Sequence, residues 1–100
     1  MNIMNKIYDR LIDENDRFFW KKGLKSELSK GTLKVVFEKK DGSLRTMICT
    51  TKLDKIPEEN IPEKGKERKY DDNKLCVIYD IENDGWRSFN YDQVISAEVF

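Results

Sequence analysis

No histidine occurs among the 100 residues, and cysteine, proline and glycine number only two, two and five. The missing imidazole removes every histidine-based acid–base scheme and most metal sites. Cys49 and Cys76 have no metal-binding or redox spacing, and a disulfide framework normally needs more cysteines. No apolar run approaches the ~18 residues of a membrane span. The start, Met1-Asn2-Ile3-Met4-Asn5-Lys6, lacks the apolar stretch of a secretory signal. Neither sign of charge is in excess, since 19 Lys+Arg balance 19 Asp+Glu. What is present is a packable chain: 38% hydrophobic and 11% aromatic content exceeds that of a disordered tail and supports a small core. These features predict a soluble, cytoplasmic domain with no membrane contact, no metal and no cofactor. No phosphate-cradling GxxxxGK[ST] loop or GxSxG elbow occurs, and the chain is read as a non-enzyme with no catalytic residue.

The N-terminal segment is helical by period. Ile3, Met4, Ile7, Tyr8, Leu11 and Ile12 form one apolar stripe of a 3.6-residue repeat. Glu14-Asn15-Asp16 is a polar break with N-cap character before Phe18-Phe19-Trp20. Gly23 weakens any continuation, Leu24 and Leu28 carry a last turn, and Lys30-Gly31 supplies a cationic end and a glycine able to take positive φ. One kinked helix and two short ones both fit. From Thr32 the period becomes two: Leu33, Val35 and Phe37 alternate with Lys34, Val36 and Glu38. Asp41-Gly42 reads as a two-residue hairpin turn, which pairs Phe37 with Thr46, Val35 with Ile48 and Glu38 with Arg45.

Residues 54–74 differ in kind. They hold Ile56-Pro57, Ile61-Pro62 and eleven charged residues after Ile56, a density that forms no core. This stretch is expected to be a long charged loop anchored by Ile56 and Ile61. The paired carboxylates Glu58-Glu59 and Asp71-Asp72 fall inside it, where no wall would tune them. Leu75–Ile81 is then a near-continuous apolar run, expected for a central strand. A turn at Glu82-Asn83-Asp84-Gly85 leads to a strand Trp86–Tyr91, with Phe89 and Tyr91 on one face and Trp86 on the other. Asp92-Gln93 makes a tight turn into a last strand, Val94–Phe100. The predicted architecture is mainly β. A helical segment at 1–30 packs on a five-stranded SH3-like or Sm-like barrel at 31–100, whose closure hides strand edges.

Two blocks carry a resemblance. Thr32-Leu33-Lys34-Val35-Val36-Phe37-Glu38-Lys39-Lys40-Asp41-Gly42-Ser43-Leu44-Arg45-Thr46-Met47 and Trp86-Arg87-Ser88-Phe89-Asn90-Tyr91-Asp92-Gln93-Val94-Ile95 resemble the opening hairpin and closing signature of a family of small phage proteins. That family is WYL-like with an Sm-like SH3 β-barrel fold. The resemblance spans roughly Leu24 to Phe100 and implies the same barrel. WYL domains are associated with sensing nucleotide or nucleic-acid ligands. Asn90 and Gln93 are neutral where the family pattern leads one to expect a basic residue, which counts against anion binding through that strand.

Charge is segregated along the chain. Residues 21–40 carry seven lysines against Glu27 and Glu38, a balance of +5, whereas residues 75–100 carry Arg87 against five acids, a balance of −4. Lys34, Lys39, Lys40 and Arg45 on the first hairpin are the candidate phosphate contacts, with Trp86, Arg87 and Tyr91 as candidate stacking and anion-contacting residues. Arg87 is also placed to pair with Asp80 or Asp84 across the turn. Ile7, Leu11, Phe18, Phe19 and Trp20 are expected to pack on the barrel, and are alternatively a partner interface. Two functions follow. One is binding of DNA, RNA or a nucleotide through the basic hairpin. The other is a protein-interaction module, such as an inhibitor of a host defence or transcription component, monomeric or dimeric through its N-terminal helix.

Overall fold

The computed structural model describes residues 6–62 and 73–100. Ile3 and Met4 of the expected stripe, and residues 63–72 of the charged excursion, lie outside them. A short helix α1 (Ile7–Arg10) is followed by α2 (Glu14–Lys30). The break between them falls at 11–13, and the N-cap is Asp13, whose carboxylate accepts the Asn15 N–H at 2.7 Å. Arg17 ties the two together by donating to the Leu11 and Tyr8 carbonyls and lying 4.7 Å over the Tyr8 ring. Those carbonyls sit at the end of α1, where the helix leaves acceptors over; that of Tyr8 also takes the Leu11 N–H at 3.2 Å. Gly23, expected to weaken the continuation, leaves α2 uninterrupted. Tertiary packing of Trp20, Leu24 and Leu28, one stripe at i, i+4 and i+8, overrides its weak propensity.

The end of α2 also departs from expectation. Gly31 is extended, with φ −177°, so no left-handed cap forms. The last carbonyls are met from the sheet: the buried Thr50 hydroxyl lies 2.6 Å from the Gly31 oxygen and 3.2 Å from that of Leu28. The Thr51 N–H donates to the Leu28 oxygen as well. The helix is thereby fastened to the sheet at its C-terminal end.

Five strands follow: β1 (Thr32–Glu38), β2 (Leu44–Thr50), β3 (Leu75–Asp80), β4 (Gly85–Asn90) and β5 (Val94–Val99). They form one antiparallel sheet in the order β4-β3-β2-β1-β5, the expected five-stranded, mainly β architecture. The first hairpin is shifted one residue from the expected register. Phe37 lies opposite Arg45, Val35 opposite Met47 and Leu33 opposite Cys49. The cause is the turn. The Lys39 N–H donates to the Ser43 oxygen, the Gly42 N–H donates to the Lys39 oxygen, and Gly42 takes φ +88°. This is a three-residue loop, a tight turn followed by a left-handed glycine, not a two-residue one. The buried face of β2 is accordingly Met47 and Cys49, while Leu44 and Thr46 are exposed. Glu38 pairs with Lys6 at 3.3 Å, not with Arg45.

The core joins Leu24 and Leu28 of α2 to Leu33, Val35, Phe37, Met47 and Cys49 of the hairpin, and to Cys76, Ile78, Phe89, Tyr91 and Val94. Both cysteines are free and buried, as small core fillers. Phe37 and Phe89 stack at 5.4 Å, which ties the first hairpin to β4. Tyr91 opens a 3-10 turn, Tyr91–Gln93, between β4 and β5, and its ring meets Trp20 edge-on at 6.2 Å. In the excursion, 3-10 turns form at Leu53–Lys55 and Glu58–Asn60, and Ile56 is buried as expected.

Candidate functional site

β2 and β3 pair only briefly, through Cys49↔Asp80 and Thr50↔Tyr79. Toward the hairpin tip the two strands diverge, and a cleft of roughly 590 Å³ lies between that tip and β4. Phe37, Met47 and Phe89 supply its apolar wall. Lys39, Lys40 and Arg45 reach it from the first hairpin, and Arg87 from β4. Ser88 and Asn90 of β4 and Gln93 of the last 3-10 turn complete the polar lining. The Oε1 of Gln93 is buried without a hydrogen-bond partner.

The two acids on the cleft are engaged elsewhere. Glu38 pairs with Lys6. Asp41 accepts the Ser43 hydroxyl at 2.6 Å and its N–H at 2.9 Å, and these bonds, the hydroxyl's foremost, hold its carboxyl below the ordinary range. Lys39, Lys40 and Arg87 are exposed, whereas Arg45 is half-buried and donates to Asp80 at 3.0 Å. Asp80 is 1% exposed and also accepts the Asn83 side chain at 2.8 Å. Burial alone would raise its pKa. The Asn83 hydrogen bonds, then the charges of Arg45 and Arg87, outweigh that and lower it. Asp80 therefore belongs to Arg45 and Asn83, in place of the expected bond to Arg87, whose guanidinium donates to the Trp86 carbonyl at 3.0 Å.

The other expected site residues separate. Lys34 lies on β1 but away from the cleft, 3.6 Å from Glu98 of β5. Tyr91 is 1% exposed and belongs to the core, so its ring offers no stacking face. Trp86 is half-buried against Tyr79 at 5.5 Å, and its indole N–H donates to the Asn60 carbonyl at 2.7 Å. It clamps the excursion to β4. Ile7 and Trp20 pack on the core and Leu11 is half-buried, but Phe18 and Phe19 are 50% and 68% exposed, against the expectation that they cover the barrel. The helical stripe points Trp20 inward and leaves its two neighbours outside.

Ser88, Asn90 and Gln93 were not foreseen as cleft residues. Their only sequence signal was the family pattern, which marked Asn90 and Gln93 as positions of interest. No cluster of three or more His, Cys, Asp or Glu residues able to hold a metal occurs among the described residues. None of the described helices is long and apolar enough to cross a membrane.

A mainly β sheet of five strands, helix-capped and with a basic cleft beside its first hairpin, defines a small Sm-like, SH3-type barrel. The model of the family described as WYL_2, Sm-like SH3 beta-barrel fold, matches residues 21–95, and the chain belongs to that family. It is 36% identical over 74 residues to an uncharacterized 11.5 kDa protein from the Gp31-cd intergenic region of Enterobacteria phage T4. That match covers 74% of this chain and 72% of the phage protein. No solved structure matches. The chain is a small protein of a phage WYL-like family.

Proposed function

We propose that this protein binds a phosphate-bearing ligand, a nucleic acid or nucleotide, in the cleft between the first hairpin and β4. The observation that carries this reading is the convergence of Lys39, Lys40, Arg45 and Arg87 on one concavity whose two carboxylates are already engaged. Cations on separate elements, held around a partly apolar hollow, suit a phosphate better than a scatter of surface lysines would. The Ser88 hydroxyl and the Asn90 and Gln93 carboxamides add neutral donors and acceptors of the kind that address sugars and base edges. Recognition rests on charge and hydrogen bonds, because Trp86 and Tyr91 are occupied within the fold. On this reading the protein works as a binding module and not as an enzyme, and acts inside the host cell.

Fluorescence anisotropy with labelled single-stranded DNA and RNA, and calorimetry with mononucleotides, test the proposal. Binding is expected near 50 mM salt and should weaken steeply toward about 200 mM. Lys40→Ala combined with Arg87→Ala should reduce it, since both side chains are exposed and their loss leaves the fold intact. No binding to any of the three ligand types at low salt, or affinity unchanged in the double variant, overturns the reading.

A further inference from the structure

A second surface lies on α2, none of whose residues lines the cleft. We propose that α2 pairs with α2 of a second copy of this chain, crossing antiparallel about a twofold axis at Phe18. Trp20 packs against the core, and Leu24 and Leu28 belong to it, so the far side of the helix faces outward. Phe18 and Phe19 stand on that side, half and two-thirds exposed, with their rings edge-to-face at 5.7 Å. Two adjacent phenylalanines in water in the second turn of a helix form a patch that association would cover.

The charges around the patch select the occupant. Glu14, Phe18 and Lys22, at i, i+4 and i+8, form one row of exposed residues on α2. Rows at this spacing are the ridges that interdigitate in the commonest helix–helix crossing. Along the row the order is acid, aromatic, base. Reversing a second copy about Phe18 sets phenylalanine against phenylalanine, Glu14 against Lys22, and Lys22 against Glu14. A parallel copy would instead set acid on acid and base on base. A twofold interface uses the same patch on both sides and must be complementary to itself, which this row is. The Lys22 ammonium already lies 5.1 Å over the Phe18 ring, so the base and the aromatic present one joint surface.

Sedimentation equilibrium of the full chain over a concentration series tests the pairing. A reversible dimer is expected. Phe18→Asp should leave a monomer with an unchanged helix signal and, at dilutions where the parent is also monomeric, an unchanged melting temperature, because the ring is half exposed in the single chain. Glu14→Lys and Lys22→Glu should each weaken the dimer about tenfold, since each creates two like-charge contacts per pair. Combining them restores the complementary order and should restore the dimer. A monomer at every concentration, a dimer indifferent to Phe18→Asp, or a swap that fails to restore pairing would overturn the proposal.

Discussion

Replacing Arg45 by methionine should cost about 1–3 kcal/mol of stability, and the figure follows from what surrounds Asp80. That carboxylate is 1% exposed and takes hydrogen bonds from Arg45 at 3.0 Å, the Asn83 side chain at 2.8 Å and the Asn83 N–H at 3.2 Å. Removing one partner of a fully buried ion pair costs about 3–5 kcal/mol. Here the loss is smaller, because the Arg45 side chain is 34% exposed, water screens it, and the Asn83 bonds survive the substitution. Urea denaturation at neutral pH should show a lower midpoint with an unchanged slope. Adding Asp80→Asn to Arg45→Met should recover much of the loss, since no charge is then left buried without its partner. The pH dependence has a definite sign. Asp80 titrates lower in the folded protein than in an unfolded chain, where the pKa is about 3.9. Its stabilisation is complete above that value and disappears as pH falls through the lower folded pKa. The stability gap between the parent and Asp80→Asn should therefore narrow on acidification. A single variant as stable as the parent, or a double variant no better than the single, would refute this account. Arg45 also lines the cleft, so its loss confuses binding with folding, and Arg87 and Lys40 are the cleaner probes.

Three further outcomes follow from the packing. Gly23→Ala should stabilise by up to about 1 kcal/mol, because an added Cβ meets nothing within 4 Å, whereas Gly42→Ala should destabilise by about 1–2 kcal/mol at its positive φ; paired thermal melts would show opposite signs. Thr50→Val should cost about 1–3 kcal/mol by leaving the Gly31 carbonyl unmet, since that of Leu28 keeps the Thr51 N–H, and an unchanged urea midpoint would contradict that. Burial first of all pushes the Cys49 thiol up to about 12 and that of Cys76 up to about 11, so neither forms thiolate near neutral pH. Alkylation followed by mass spectrometry should be slow in the native protein and rapid after unfolding.

Much of the architecture was legible in the sequence, and the failures share a cause. Leu33, Val35 and Phe37 alternate, and five strands in that order imply the sheet that forms. Asp41-Gly42 looks like a complete turn, but whether a loop holds two residues or three depends on which carbonyl the Gly42 N–H finds. That one bond moved Met47 and Cys49 inward and Thr46 outward. Lys39, Lys40, Arg45 and Arg87 were recognisable as cations, and nothing in their spacing says that they meet. Their meeting depends on the divergence of β2 from β3, a tertiary event. Lys34 was equally basic on paper, and only the β1–β5 register brings Glu98 to it. Aromatics misled in the same way. Tyr91 bears a polar hydroxyl and Phe19 none, yet the tyrosine is core and the phenylalanine faces solvent, because a 3-10 turn directs the first inward and helical phase directs the second outward.

The pairing of β1 with β5 has a bearing on the order in which the fold is made. Leu33 and Val99 are neighbours in the sheet but 66 residues apart in the chain. A ribosome releases the β1–β2 hairpin early, and the second flank of β1 arrives only after the whole excursion and the β3–β4 pair have been synthesised. Throughout that interval a nascent hairpin carries an open edge of the kind that recruits other chains. Lys34 and Glu38 lie along it, so Lys34, which meets Glu98 only when β5 arrives, and Glu38, whose partner Lys6 is made before it, can guard an unfinished sheet. Until β5 takes its place, the protection of the growing chain rests on those charges.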